Sequence, residues 1–170
     1  MAESASERHS PSVGLLISVL VRYPEIARVH YDHKDQSLKF SLLLSCGIGP
    51  GEKELLEQRL RSSLDAYLHL ENRSPSIIVV KVTSFDEITV IEMVRDVASI
   101  TQEEISMVTE VVKEMHSSGL VAEGPEGLAE DDPSLQEEMI EEMLDDLRHT
   151  KQQRNLVAFR EEGRVLVYNK

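Results

Sequence analysis

The sequence predicts an α+β fold, a small two-layer sandwich in which helices cover one face of an antiparallel sheet. Runs of apolar residues with helical spacing alternate with pairs of short strand-like runs, and polar turns join the strands of each pair. The 170 residues are the usual size of one domain. Only 4% of the side chains are aromatic, so the core is expected to be aliphatic.

The first predicted element is a short helix. Residues 1–10 are rich in Ser, Glu and Ala without an apolar period, which predicts a disordered tail. Ser10 and Pro11 then form a helix start, with a capping residue followed by proline at the first helical position. Apolar residues follow at helical spacing between 13 and 21, and Pro24 ends the run. Because several of these residues are β-branched, a buried strand over 13–21 is the alternative.

A β-hairpin is predicted next, from the runs 26–33 and 38–46 around the polar turn 34–36. Apolar and polar residues alternate along its second strand, which predicts that one face of the strand lies in the core. Cys46 has the same parity as the apolar residues of this strand. It is therefore predicted to be a small core residue rather than a reactive thiol.

A glycine-rich loop separates this hairpin from the longest helix predicted in the first half. Leucines recur along that helix at every fourth position: Leu56, Leu60, Leu64 and Leu68. Because backbone N–H groups at a helix start can hold an anion, Gly47, Gly49 and Gly51 are the candidate ligand-binding residues. The loop lacks the complete glycine pattern of a dinucleotide site and the Gly-Lys-Ser/Thr of a phosphate loop. An ordinary strand-to-helix turn is the competing interpretation.

A second hairpin is predicted over 77–83 and 88–95, and a third helix after Thr101. Thr101 and Glu104 form a capping box, and Gly119 is predicted to end the helix in a left-handed conformation. The order helix, hairpin, helix, hairpin, helix requires antiparallel neighbours with the helices gathered on the apolar face of the sheet. This element order resembles a ferredoxin-like arrangement, which by itself implies no function. These elements define a sandwich domain over 11–121.

The composition changes after this domain. Residues 122–133 combine glycine and proline with many carboxylates and predict an acidic linker. A C-terminal arm over 134–170 follows, in which Ser134 and Glu137 are predicted to cap a helix and Glu162-Gly163 to turn a β-hairpin. The helix carries a narrow apolar stripe: Met139, Ile140, Met143, Leu144 and Leu147.

Charge is distributed unevenly along the chain. Eighteen basic and 31 acidic side chains give a net charge of −13, and residues 123–147 hold 11 acidic and no basic side chains. Such a chain repels phosphate backbones and anionic lipid headgroups, so neither nucleic acid nor a membrane is expected as a partner. A single cysteine and the absence of a signal-peptide pattern predict a cytoplasmic location.

No catalytic residue, metal site or cofactor is predicted. His30, Asp32 and His33 suit a metal by residue type, but alternation along a strand sends His33 to the opposite face from the other two. The chain also has no nucleophile elbow, zinc-protease helix or paired-cysteine motif.

The apolar stripe of the C-terminal helix is the predicted partner-binding site, because methionine suits contact surfaces that adapt to a partner. Three occupants remain open: the chain's own sheet, a second copy in a homodimer, and a different protein. The sequence therefore favours a non-catalytic cytoplasmic regulatory or adaptor protein that acts through protein contacts of its C-terminal arm. The alternative is a small-ligand-sensing or catalytic α+β domain with a pocket near the Gly47–Gly51 loop.

Overall fold

The computed structural model describes residues 11–122, 132–150 and 153–169. The predicted tail over 1–10 and most of the predicted linker lie outside the described residues. The described helices are α1 (Pro11–Arg22), α2 (Pro50–Leu70), α3 (Gln102–His116) and α4 (Pro133–Arg148). The described strands are β1 (Ile26–Asp32), β2 (Ser37–Leu44), β3 (Ile78–Ser84), β4 (Thr89–Asp96), β5 (Leu156–Glu161) and β6 (Arg164–Asn169).

All six of these strands form one antiparallel sheet in the order β3-β4-β2-β1-β5-β6. Strands that are adjacent in the sequence pair as three hairpins, and β2 joins the first two hairpins by pairing with β4. β5 pairs with β1, with Leu156 opposite Tyr31 and Phe159 opposite Arg28, so the C-terminal hairpin extends the sheet. The predicted α+β class is confirmed. The ferredoxin-like order is not observed, because the described sheet contains no parallel pair.

The core lies between one face of this sheet and the helices. Residues 13–21 are helical, so the helix prediction for this segment is confirmed, and Leu16 and Leu20 of α1 are fully buried. The four predicted leucines of α2 are also buried. Alternate strand residues complete the core, among them Val29, Tyr31, Leu38, Phe40, Leu42, Ile91, Met93 and Ala158. We call the side of the sheet that faces the helices the inner face.

The C-terminal arm is tied to the rest of the chain by packing and by two arginines. Arg148, at the end of α4, donates hydrogen bonds to backbone carbonyl oxygens just before α3. Arg160 of β5 donates to the carbonyl oxygens of Leu20 at 2.6 Å and Tyr23 at 3.3 Å. Carbonyl groups at a helix end lack partners within the helix and carry partial negative charge. The guanidinium of Arg160 therefore stabilises the end of α1.

A buried ionic cluster joins β4 to α3. Arg95 is 0% exposed and its guanidinium contacts both carboxylate oxygens of Glu104, at 2.5 and 3.0 Å. The other N–H groups reach Asp96 at 2.5 Å, Ser99 at 3.1 Å and the carbonyl oxygen of Ile77 at 3.0 Å. Burial raises the pKa of the Glu104 carboxyl, and the paired guanidinium opposes that rise. Every N–H of the buried guanidinium has a partner, which is the condition for tolerating such a charge.

The helix caps follow the sequence in one case and depart from it in another. Thr101 accepts a hydrogen bond from the Glu104 N–H at 3.2 Å, so Thr101 is confirmed as the cap, whereas the Glu104 carboxylate binds Arg95 instead of completing the predicted capping box. The predicted cap at Ser134 is wrong, because Asp132 caps α4 by accepting from the Ser134 N–H at 3.0 Å. The physical reason is Pro133: a proline at the first helical position makes the residue before it the cap.

Gly119 and Cys46 also differ from their predictions. Gly119 does not have a positive φ, so the predicted left-handed helix stop is wrong. A Cβ at Gly119 would lie 3.0 Å from the Cys46 sulfur, and the Gly119 carbonyl accepts from the Ser45 N–H at 2.7 Å. A side chain at position 119 would therefore crowd the Cys46 thiol unless that thiol moved aside. Cys46 is exposed rather than buried, because β2 ends at Leu44.

Candidate functional site

The glycine-rich loop packs against the turn between β3 and β4. A Cβ on Gly47 would lie 2.6 Å from the carbonyl oxygen of Asp86, so Gly47 is needed for a close backbone approach. Gly49 is the N-cap of α2, without a side-chain hydrogen bond, and a side chain at Gly49 or Gly51 would meet open space. The Ile48 N–H between them is already bonded to the Ser84 hydroxyl at 2.9 Å. This geometry accounts for Gly47 by packing and assigns no ligand contact to the loop.

The histidine pair of the first hairpin does not converge on a metal position. Within the described ranges, no group of three His, Cys, Asp or Glu side chains is placed to hold a metal ion. The backbone N–H of His33 donates to the Asn155 side chain at 2.9 Å, which links the first hairpin to the segment before β5.

The apolar stripe of α4 is divided between the core and the surface. Ile140, Leu144 and Leu147 are at most 4% exposed and belong to the same core as α1. Met143 is partly buried, with its sulfur 3.2 Å from the position of a Cβ on Gly14. Met139 is 46% exposed. Of the five predicted partner-binding residues, therefore, Met139 presents the largest exposed fraction to a partner in this fold.

A polar cleft of about 450 Å³ lies where the end of α1 meets α3 and α4. Tyr23 and Ser106 share a hydrogen bond of 2.6 Å at its base, and the Gln102 amide donates to both hydroxyl oxygens at 2.6 and 2.9 Å. Burial raises the pKa of the Tyr23 hydroxyl, although these hydrogen bonds oppose the rise. The phenol therefore stays neutral at physiological pH and acts as a bridge between helices.

Ion pairs cross the rim of this cleft. Arg22 of α1 contacts Glu137 of α4 at 2.5 Å, and Lys113 of α3 contacts Glu25 at 3.4 Å. Glu25 and Glu110 raise the pKa of Lys113, so its ammonium group remains charged. These ion pairs connect the helices across the rim of the cleft. The lining as a whole holds four carboxylates and two cationic side chains, so the cleft keeps a net negative charge.

The opposite side of the sheet carries a second set of apolar side chains. We define the outer face as the strand residues that alternate with those of the inner face. Its apolar members are Leu43, Val79, Val90, Val94, Val157, Phe159, Leu166 and Tyr168. None of them belongs to the core, and Val79 and Tyr168 are 45% and 52% exposed. The described helices all pack on the inner face, so no described helix covers this surface.

These apolar residues form two patches at opposite ends of the sheet. The β5–β6 patch consists of Val157, Phe159, Leu166 and Tyr168, and the rings of Phe159 and Tyr168 stack with centroids 5.5 Å apart. The β3–β4 patch consists of Val79, Val90, Val94 and the neighbouring Leu43 of β2. A polar band on β1 and β2 separates them: Arg28, His30, Lys39 and Ser41.

The outer face differs in charge from the rest of the chain. Its solvent-accessible members include four basic side chains, Arg28, Lys39, Lys81 and Arg164, against three acidic ones, Asp32, Glu92 and Glu161. A fourth carboxylate of the same parity, Asp96, is buried and paired with Arg95. Lys39 and Glu92 lie 3.6 Å apart across β2 and β4. On a chain of net charge −13, the charges of this face thus nearly cancel, so an acidic partner is repelled less here than by the strongly acidic parts of the chain.

Sequence reasoning did not single out this surface, although the strands contain its signal. β5 is apolar at both parities, with Leu156 and Ala158 on the inner face and Val157 and Phe159 on the outer face. In β4, Val90 and Val94 alternate with buried Ile91 and Met93. A strand that is apolar on both faces is typical of a sheet covered on both sides.

Comparison of the chain with protein-family models, curated proteins and solved structures found no match. Among the described helices, none has the length and apolar character needed to span a membrane.

Proposed function

We propose that this chain is a non-catalytic, cytoplasmic regulatory or adaptor protein that binds another protein on the outer face of its sheet. The observation that carries the proposal is the pair of apolar patches, the β5–β6 patch and the β3–β4 patch, on a face that no described helix covers. Exposed contiguous apolar surface of this kind is typical of interaction sites. The β5–β6 patch is contributed by the C-terminal arm, so the arm keeps its predicted role in partner contacts through its hairpin.

The shape of the surface favours a protein over a small molecule. Six strands spaced by roughly 4.8 Å make the sheet about 24 Å wide, and the two patches occupy its opposite sides. Small ligands bind in concave pockets that bury most of their surface. An open sheet face of this width instead fits a macromolecular partner, and the basic side chains between and around the patches favour a partner with apolar residues bordered by Asp and Glu.

Small-ligand binding is supported less well. The loop of Gly47, Gly49 and Gly51 packs on a neighbouring turn, and the polar groups at the base of the helix cleft are hydrogen-bonded to one another. A ligand in the cleft would have to displace the bonds among Tyr23, Gln102 and Ser106, which costs the full desolvation of each group left unpaired.

Peptide selection on the immobilised full chain tests the proposal. A random peptide library is expected to yield apolar sequences flanked by acidic residues, whose affinity is then measured by fluorescence anisotropy. Val79→Glu and Tyr168→Glu place negative charge in the two patches and are expected to weaken binding at least about tenfold. Met139→Glu is the matched control, because Met139 and Val79 are almost equally exposed, at 46% and 45%.

Two results would contradict the proposal. Selection of peptides without apolar residues would exclude the patches as the attractive surface. Peptides whose binding is lost in Met139→Glu and kept in Val79→Glu and Tyr168→Glu would assign the partner surface to α4. Melting temperatures of all three variants show whether a loss of binding reflects a loss of folding.

A further inference from the structure

The two edge strands of the sheet differ in how well their backbone groups are protected from pairing with another chain. At the β3 edge, the Glu57 carboxylate of α2 accepts a hydrogen bond from the outward N–H of Val82 at 2.8 Å. Lys81 lies in the middle of the same strand and is exposed. A side chain that occupies an edge donor and a lysine within the edge strand are both devices that oppose pairing with another chain. The β3 edge is therefore protected.

The β6 edge lacks both devices. The two-residue turn Glu162-Gly163 has positive φ at both positions, 48° and 77°, and Glu161 pairs with Arg164 on either side of it. In such hairpins the two residues that flank the turn exchange two hydrogen bonds. The first, third and fifth residues after Arg164 therefore direct their N–H groups away from the partner strand. Val165, Val167 and Asn169 are those residues. Among the described residues, no hydrogen bond to their N–H groups is observed.

The composition of β6 also suits pairing. Between Arg164 and Asn169 the strand reads Val-Leu-Val-Tyr, without proline, glycine or charge. Such an edge is a ready template for another strand. The surrounding segment, residues 148–170, holds 6 basic and 2 acidic side chains in a chain of net charge −13. Two copies that meet through this segment bring its local excess of basic charge to the contact, which offsets part of the repulsion between two chains of net charge −13.

We propose that β6 pairs with β6 of a second copy of this chain, antiparallel and about a two-fold axis, so that one sheet runs through both copies. With the axis at Leu166, Val165 of one copy exchanges hydrogen bonds with Val167 of the other. Arg164 then lies opposite Tyr168 of the second copy, so the two arginines do not face each other and each approaches an aromatic ring. The interface is isologous, as expected of a homodimer.

This pairing concerns the edge of the sheet and is independent of what binds the outer face. It would nevertheless place the two β5–β6 patches side by side across the axis, which doubles the continuous apolar surface that a partner could contact. An extended peptide of another protein is the other possible occupant of the edge, and the oligomeric state of the pure chain distinguishes the two.

Sedimentation equilibrium on the full chain tests the pairing. The unsubstituted protein is expected to dimerise, and Val167→Pro is expected to raise the dimer dissociation constant at least about a hundredfold, because proline removes an outward N–H that the pairing needs. The hydrogen bonds between β5 and β6 do not use this N–H, so the hairpin is retained. Val167→Ala shortens the side chain and keeps the N–H, and Val80→Pro makes the same change on the protected edge; both variants are expected to remain dimeric.

Amide hydrogen exchange on the unsubstituted protein provides a second readout that does not depend on the folding of a variant. The N–H groups of Val165 and Val167 are expected to exchange slowly in concentrated solution and quickly in dilute solution. The N–H of Leu166 is bonded to β5 and is expected to exchange slowly at both concentrations. A monomeric chain overturns the pairing, and so does a dimer in which Val165 and Val167 exchange quickly. Neither result affects the peptide-binding test of the outer face, so the two proposals fail separately.

Discussion

The inner and outer faces of the sheet are built from neighbouring residues of the same strands, yet they meet different surroundings. In β4, Ile91 and Met93 are at most 2% exposed beneath the helices, while Val90 and Val94 on the other side are only partly buried. The two faces are thus similar in apolar character, and they differ in exposure because the helices cover only the inner face. The comparison shows that a chain can close one core completely and still leave the other face of the same sheet apolar and uncovered by its described helices.

Charge distinguishes the two faces as clearly as exposure does. In the described strands the inner face contains two guanidiniums: Arg95, in a cluster where every donor is paired, and Arg160, which donates to carbonyl oxygens at the end of α1. The outer face has several charged groups in contact with solvent, where ion pairs contribute little to stability. Substitutions on the inner face should therefore change the free energy of unfolding, and substitutions on the outer face should change binding.

The largest effect is expected at the buried cluster. Glu104→Ala leaves the Arg95 guanidinium buried without its bidentate partner and should lower the free energy of unfolding by about 3–5 kcal/mol, measured by urea denaturation. The triple variant Arg95→Met, Asp96→Asn, Glu104→Leu removes all three charges of the cluster and should recover a large part of the loss. A triple variant as unstable as the single one would show that packing rather than charge determines this site.

A somewhat smaller effect is expected where α4 joins the inner core. Leu144 is fully buried, so Leu144→Ala should cost about 2–5 kcal/mol, whereas Met139→Ala on the same helix should change stability by no more than about 0.5 kcal/mol. The measurement is urea denaturation at two protein concentrations. If the cost of Leu144→Ala depended on concentration, the stripe would be packing between copies rather than within one chain.

The pH dependence of stability should report on Asp96. Burial alone would raise the pKa of this carboxyl, but the Ser99 hydroxyl, the Ile77 N–H and Arg95 together hold the pKa below the ordinary aspartate value. Because the folded pKa is lowered, the stabilisation is present above about pH 4 and is lost as the pH falls through the folded value. Asp96→Asn should be less stable than the unsubstituted protein at neutral pH, by about 1–3 kcal/mol, with a difference that narrows in acid. A difference that stays constant with pH would contradict this assignment.

The smallest change in stability is expected on the outer face. Val79→Ser removes apolar surface that is already 45% exposed and should change the free energy of unfolding by no more than about 0.5 kcal/mol. Val82→Ser, on the inner face of the same strand, removes a buried side chain and introduces a buried hydroxyl, so it should cost more than 1 kcal/mol, roughly. Equal costs in urea denaturation would mean that the outer face is covered within the chain.

Much of the local structure was predictable because its causes lie within a few residues. The turn at Glu162-Gly163 has the positive φ angles expected of a two-residue hairpin. Thr101 caps α3 as its spacing to Glu104 predicted. The cap of α4 lies two residues before the predicted Ser134, because Pro133 at the first helical position makes Asp132 the cap.

The candidate sites were harder to predict, because each depends on which distant element lies beside it. The stripe of α4 indicated that this face must be covered, but helical periodicity is the same whether the cover is the chain's own α1 or another molecule. The glycines after β2 resembled an anion site in sequence, and only the approach of Asp86 to Gly47 explained the first of them.

By itself the sequence determined the helices, the three hairpins and the aliphatic inner core, because periodicity, caps and turns act between near neighbours. The tertiary structure decided that β5 pairs with β1, that most of the α4 stripe enters the core, and that the outer face and the β6 edge stay uncovered by the described elements. These outcomes join residues more than a hundred positions apart, such as Arg160 and Leu20. The physical reason is that burial depends on which surfaces meet, and alternation along a strand specifies two faces without specifying what covers either of them.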